Sequence, residues 1–179
     1  AVTAAGADAS GHLSIDVCGD RTVLRLRSRD TGTVTERDLE LASQISHTLA
    51  GRGYEMTVNS GVVQAFEIAI DALDIDAVRP FWRAITDYVD HTGDDLPAGL
   101  VDPLGHGPAI WFQQMDLPRP QRNRIHIDVD LPHDAARARI DAALAAGGTL
   151  LSDAAAPAFW VMADPEGNEA CICTWQGRD

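Results

Sequence analysis

Positive charge, cysteine and long apolar runs are all scarce in this chain, and each scarcity removes a class of function. Lys and Arg number 14 against 27 Asp and Glu, a formal net charge of −13. Such a surface repels phosphate backbones and anionic lipid headgroups, so bulk electrostatics exclude nucleic acid and membrane surfaces as partners. The acidity is scattered, as on a solvated surface, rather than gathered into a patch. Apolar runs fall short of the ~20 residues needed to cross a bilayer, and the opening residues carry no basic-then-apolar pattern. Three cysteines, Cys18, Cys171 and Cys173, are too few for a disulfide framework and point to a reducing cytoplasm. Cys171 and Cys173 fall two apart on one strand face, a spacing that suits small buried hydrophobes better than a chelating pair. There is no glycine-rich phosphate loop, nucleophile elbow or zinc-protease helix, so phosphoryl transfer, serine hydrolysis and peptidase chemistry have no support.

What the chain does hold is enough apolar material for a core, 45% of 179 residues, in one large domain or two small ones. It opens on Ala1 in the run AVTAAGADAS, which reads as the end of an Ala-rich helix and leads us to expect upstream sequence. From His12 to Ser28 the runs HLSIDV and TVLRLRS alternate apolar and polar residues around Cys18-Gly19-Asp20, as a half-exposed hairpin does. Residues 35–50 read as a helix capped by Thr35 with Asp38, with Leu39, Ala42, Ile45 and Leu49 on its apolar face and Gly51 and Gly53 to stop it.

A second organisation begins near Val62. The run VVQAFEIAIDAL is strand-like, and Asp74 to Thr86 is helix-like, with Phe81, Trp82 and Ile85 available for packing. Residues 94–107 are rich in Gly, Pro and Asp and predict a loop with a short strand at Leu100 and Val101; PAIWFQQMDL is a further strand. After the link LPRPQRN the sequence does this again: the strand NRIHIDVDL, a helix over 133–146 closed by Gly147-Gly148, then TLLSD, FWVMAD, a DPEGN turn at 164–168 and EACICTW. Sliding the chain by 59 residues superposes Glu67–Asp71 on His126–Asp130. An internal duplication explains the pattern.

The residues RPFWRAI at 79–85, RIHIDVD at 124–130 and ADPEGNEACI at 163–172 resemble the glyoxalase and bleomycin-resistance (vicinal oxygen chelate) superfamily, in particular its actinobacterial glyoxalase-like branch. The resemblance covers about residues 62–175, as repeats at about 62–117 and 123–175. It implies two strongly twisted sheets that together cup a small-molecule pocket. Metal-using members place one ligand on the first strand and one on the last strand of each repeat. Carried over, the first-strand positions are Glu67 and His126. The last-strand position of the second repeat falls on Cys171, where such enzymes carry Glu, and its counterpart is Trp111 or Gln113, depending on the gap. A divalent ion wants three or four N and O ligands at about 2.0–2.3 Å. Glu67 and His126 alone offer that firmly, so no metal or other cofactor is expected.

The residues ahead of this module, His12 before a strand pair and TERDLELASQI at 35–45, resemble pterin-4a-carbinolamine dehydratase over residues 1–56. That family uses adjacent histidines ahead of the first strand and a third at the exit of the second. Here the pair is Gly11-His12 and the third position is Arg29. Dehydration of a carbinolamine needs a base and an acid near neutral pH, which imidazoles supply and Arg, always protonated, does not. Arg29 remains suited to holding an anionic or carbonyl group.

The fold class expected is therefore α+β, a paired βαβββ glyoxalase-like module preceded by a truncated dehydratase-like segment. The function expected is binding of a small organic molecule, with metal-independent lyase or isomerase chemistry if the module is catalytic. In that case Glu67 and His126 face each other as base and acid, and Asp128 orients His126. Trp82, Trp111, Trp160 and Phe159 either stack a planar ligand or serve as core. The alternatives are a working carbinolamine dehydratase, through His12, and a ligand-sequestering protein of the resistance type. Both resemblances imply a homodimer.

Overall fold

A computed structural model describes residues 9–31, 33–57, 66–92 and 98–178. The Ala-rich opening run, the start of the strand expected at Val62 and residues 94–97 of the expected loop lie outside the described residues. The chain divides into two compact units, residues 1–63 and 64–179.

In the first unit, β1 (Leu13–Cys18) and β2 (Arg21–Leu26) form an antiparallel hairpin, with Leu13 opposite Leu26. Gly19 supplies the positive φ, 52°, that its tight turn requires. Helix α1 (Glu36–Gly51) follows, and the Asp38 carboxylate accepts from the Thr35 N–H at 2.8 Å, the returning arm of a capping box. Leu41 and Ile45 are buried with Ala9, against Leu13, Leu24, Leu26 and Leu49. The apolar face expected from Leu39 is corrected here: Leu39 is 63% exposed, and Asp38 takes the inward position beside it at 1%. The buried face runs through 38, 41, 45 and 49, a step of three and then fours, because the Asp38 hydrogen bonds turn the first helical turn inward at that residue.

The second unit repeats one plan. β3 (Glu67–Ala72) feeds α2 (Ile75–Thr86), then β4 (Val89–Asp90), β5 (Leu100–Val101) and β6 (Ala109–Gln114). β7 (Ile127–Asp130) feeds α3 (His133–Ala145), then β8 (Thr149–Ser152), β9 (Phe159–Ala163) and β10 (Glu169–Cys173). The strand orders are β3-β6-β5-β4 and β7-β10-β9-β8, with the last strand parallel to the first and the other neighbours antiparallel. This is a mixed α+β fold of two small four-stranded sheets. β7 is shorter than its alternation predicts, so His126 precedes it. Among the described residues the two-residue β4 pairs only with β5, and it is too short to carry a period in the sequence.

One core serves both repeats. Ile70, Ala72, Ile110 and Phe112 from the first sheet, Met162, Ala170 and Ile172 from the second, and the inward faces of α2 and α3 pack into a single cluster. Phe81 meets Trp82 edge-on at 5.5 Å. Gly148 is required by close packing, since a Cβ there would run into the Phe81 ring. The DPEGN turn does more than reverse the chain. Asp164, buried, accepts from the Trp82 indole N–H at 3.0 Å and from the backbone N–H groups of Glu166 and Asn168 at 2.9 Å each. Glu166 accepts from the N–H groups of Leu73 and Asp74, at 2.9 and 2.7 Å, just ahead of α2. The turn of one repeat thus clasps the strand-to-helix junction of the other. Among the described residues, no helix is long and apolar enough to cross a membrane.

Candidate functional site

Alternation along each strand decides what reaches the concave side. On β3, Ile68, Ile70 and Ala72 turn toward the helices, leaving Glu67, Ala69 and Asp71 on the other face. The parallel register sets Trp111 beside Ala69 and Gln113 beside Asp71. In the second repeat it sets Cys171 beside Asp128 and Cys173 beside Asp130. With the 59-residue offset of the two copies Ala69 corresponds to Asp128, and the strand pairings then match Trp111, the partner of Ala69, to Cys171, the partner of Asp128. Trp111, not Gln113, is therefore the counterpart of Cys171.

Between β3 and the segment leading into β7 lies an open cleft of about 610 Å³, lined by Glu67 and His126 together with Phe66, Ile68, Ile125 and Ile127. Asp71, Glu169 and the linker arginines Arg119, Arg122 and Arg124 line it as well. Beside it, His126 Nδ1 lies 3.2 Å from Asp128 Oδ1 and 3.6 Å from Cys171 Sγ. Burial pushes the Cys171 thiol up to about 12, and the neighbouring Asp128 carboxylate adds to the shift. The thiol is protonated at neutral pH and is held against Asp128 as a hydrogen-bonding group rather than a nucleophile.

The sequence reading missed two residues of this site. Arg122, from the linker, donates both arms of its guanidinium to Glu169, at 2.5 and 2.7 Å. Those hydrogen bonds hold the buried Glu169 carboxyl below the usual carboxylate range, against the opposing effect of burial. Because Ala170 pairs with Ile127, Glu169 stands level with His126. The last strand thus carries its carboxylate one pleat earlier than Cys171, and an arginine has already claimed it.

Of the residues singled out from sequence, Glu67 and His126 share the cleft, with Asp128 and Cys171 against His126. Trp111 and Gln113 lie on the concave face of β6 but outside the lining of the cleft. Trp160 is placed elsewhere: it pairs with Ile172 and packs against the core on the helix side of β9, so it belongs to the core and not to a ligand-stacking surface. His12 and Arg29 belong to the first unit. His12 Nδ1 lies 2.9 Å from Asp38 Oδ1 and 3.0 Å from Ser28 Oγ, and the Ser28 hydroxyl donates to Asp38 at 2.8 Å. The Arg29 N–H donates to the Gly11 carbonyl at 2.9 Å, which brings these two positions side by side. Burial would raise the Asp38 pKa, but hydrogen bonds from Thr35, His12 and Ser28 outweigh it and hold the carboxyl well below its usual range.

This duplicated βαβββ architecture is that of a recognised class. The profile of the glyoxalase-like domain matches residues 67–173, and the chain belongs to that family. Among solved structures it is similar to a glyoxalase/dioxygenase from Nostoc punctiforme (17% identity, 66% of this chain and 98% of that one, TM-score 0.49). It is also similar to a glyoxalase/bleomycin resistance protein/dioxygenase family enzyme from Burkholderia phytofirmans PsJN (19% identity, 60% and 95%, TM-score 0.46). A third is the fosfomycin resistance protein FosX from Listeria monocytogenes (13% identity, 65% and 92%, TM-score 0.46). No curated protein matches the chain.

A metal centre built from the first and last strands of both repeats would draw on Glu67, Trp111, His126 and Cys171. An indole N–H is only a donor, so Trp111 offers no metal lone pair. Among the described residues, the donors that converge are His126, Asp128 and Cys171, within 4.8 Å of one another, and Glu67 is not one of them. The residues do not fit a hard-ion site shared between the repeats.

Proposed function

We propose that the cleft between the two repeats binds a small organic molecule without a hard divalent ion. The observation that carries this reading is the cleft itself. Its volume of about 610 Å³ falls in the range of small-molecule sites, roughly 300–1,000 Å³, and its lining joins apolar side chains of β3 and β7 to polar groups from both repeats and the linker. Glu67 and His126 are the acid-base pair of this reading, Asp128 orients the imidazole, and the chemistry open to them is isomerisation or elimination by proton transfer. Membership of the glyoxalase-like family supports the small-molecule role.

Sequestration without turnover is the competing use of the same cleft, and two substitutions separate them. Native mass spectrometry of the untreated protein identifies what co-purifies, and Glu67→Gln and His126→Asn are then tested on that molecule. An enzyme loses turnover by ~10²-fold or more, whereas a sequestering protein shows none to lose and still binds. If no small molecule co-purifies or binds from a metabolite panel, the reading fails.

For the first unit we propose a dehydratase-like segment. The pairing of Gly11 with Arg29 and the hold of a buried Asp38 on His12 support it. Arg29 in place of the third histidine argues for a scaffold rather than a working centre. Turnover of a 4a-hydroxytetrahydropterin that disappears on His12→Ala would reverse that assignment. We further propose a homodimer in the reducing cytoplasm, consistent with the free thiols of Cys171 and Cys173. Light scattering tests the dimer, and a monomer at high concentration refutes it.

A further inference from the structure

We propose that His126, Asp128 and Cys171 bind one thiophilic divalent cation of the zinc class, on the second repeat alone. The three residues offer an imidazole nitrogen, a carboxylate oxygen and a sulfur, the donor types that zinc sites combine. Backbone geometry brings them together: parallel pairing sets Cys171 beside Asp128, and His126 is the preceding residue on the same face of the β7 extension. Their spacing suits an ion. A tetrahedral zinc with ligands at about 2.0–2.3 Å keeps neighbouring ligand atoms roughly 3.3–3.8 Å apart. His126 Nδ1 is 3.2 Å from Asp128 Oδ1 and 3.6 Å from Cys171 Sγ, and one ligand atom from each of the three residues lies within 4.8 Å of the other two. An ion would take the place of these hydrogen bonds, so in the zinc-loaded chain Asp128 coordinates the metal instead of orienting His126 as an acid-base group.

The site departs from the arrangement implied by the fold. There, ligands come from both repeats; here one sheet supplies all three, Asp128 is drawn in from the strand interior, and Glu67 is not needed. Replacing a carboxylate by sulfur at position 171 moves selectivity away from magnesium and manganese toward zinc or cobalt. Binding exchanges the thiol proton of Cys171, released to solvent, for a sulfur–metal bond. Three protein ligands leave a fourth position for water or for a molecule in the adjoining cleft.

The test uses the full chain, stripped with a chelator and titrated separately with zinc, cobalt(II) and magnesium. We expect one equivalent of zinc by native mass spectrometry, a thiolate-to-cobalt charge-transfer band with cobalt, and no stoichiometric uptake of magnesium. Cys171→Ser removes the band and weakens zinc by more than the ~10–100-fold that an outer-shell change costs. His126→Gln weakens zinc while keeping the band; His126 is exposed, so this variant serves if Cys171→Ser does not fold. Cys173→Ser and Glu67→Gln leave both readouts unchanged. Absence of stoichiometric zinc, or a band that survives Cys171→Ser, overturns the proposal. Equal loss on Glu67→Gln would place the ion between the repeats and also overturn it. None of these outcomes depends on whether an organic ligand occupies the cleft.

Discussion

Trp82→Phe tests whether the DPEGN turn holds the two repeats together. Trp82 is 2% exposed, and its indole N–H donates to the buried Asp164 carboxylate at 3.0 Å across 82 residues of sequence. Phenylalanine keeps an aromatic ring but removes the donor. A hydrogen bond to a charged acceptor contributes about 1.5–3 kcal/mol. The smaller ring adds roughly 1 kcal/mol for the space left in a packed core. The variant should therefore lose about 2.5–4 kcal/mol. Read as a melting temperature, at about 2–4 °C per kcal/mol for a chain of this size, the loss is on the order of 10 °C. Urea unfolding followed by far-ultraviolet circular dichroism measures it without relying on the fluorophore removed. The double variant with Asp164→Ala separates the two contributions, because removing the acceptor as well should leave a coupling of about 1 kcal/mol or more. A loss below about 1 kcal/mol for Trp82→Phe, or a coupling near zero, would show that Asp164 is satisfied without the indole and that the clasp is only a turn.

The same clasp predicts that Glu166→Ala, which strips the acceptor from the Leu73 and Asp74 N–H groups, costs about 1 kcal/mol and speeds hydrogen exchange at those two amides. In the first unit, Asp38 is a carboxyl with a depressed pKa. Its contribution to stability is fully present above the unfolded value of about 3.9 and is lost as pH falls toward the lower folded value. Thermal unfolding across the acid range should show that decline in the parent chain, and Asp38→Asn should flatten it; an unchanged acid limb would contradict the assignment. With its thiol pushed up to about 12, Cys171 of the metal-free chain should resist iodoacetamide at neutral pH and react only on unfolding, as peptide mapping of alkylated protein would reveal.

How far the site could be read from sequence depends on what alternation encodes. Alternation assigns a residue to a face of a strand, and where the other face was plainly apolar the assignment was readable: Ile68 and Ile70 put Glu67 opposite them, and Ile127 and Val129 put His126 and Asp128 opposite them. It fails where both faces are apolar. In FWVMA nothing in the sequence separates Trp160 and Met162, which meet the core, from Phe159 and Val161, which do not. It fails too on a helix whose inward position is polar, since Asp38 displaces Leu39 only because His12, Ser28 and Thr35 are there to bind it. Alternation is also silent about height. Glu169 and Cys171 share a face of β10, so either could stand level with His126, and it is the family resemblance that puts the missing carboxylate at Cys171. The parallel register, with Ala170 against Ile127, puts Glu169 level with His126 and Cys171 level with Asp128. That single step of register decides the chemistry: it gives the carboxylate to Arg122 and leaves sulfur, nitrogen and oxygen to converge one pleat away.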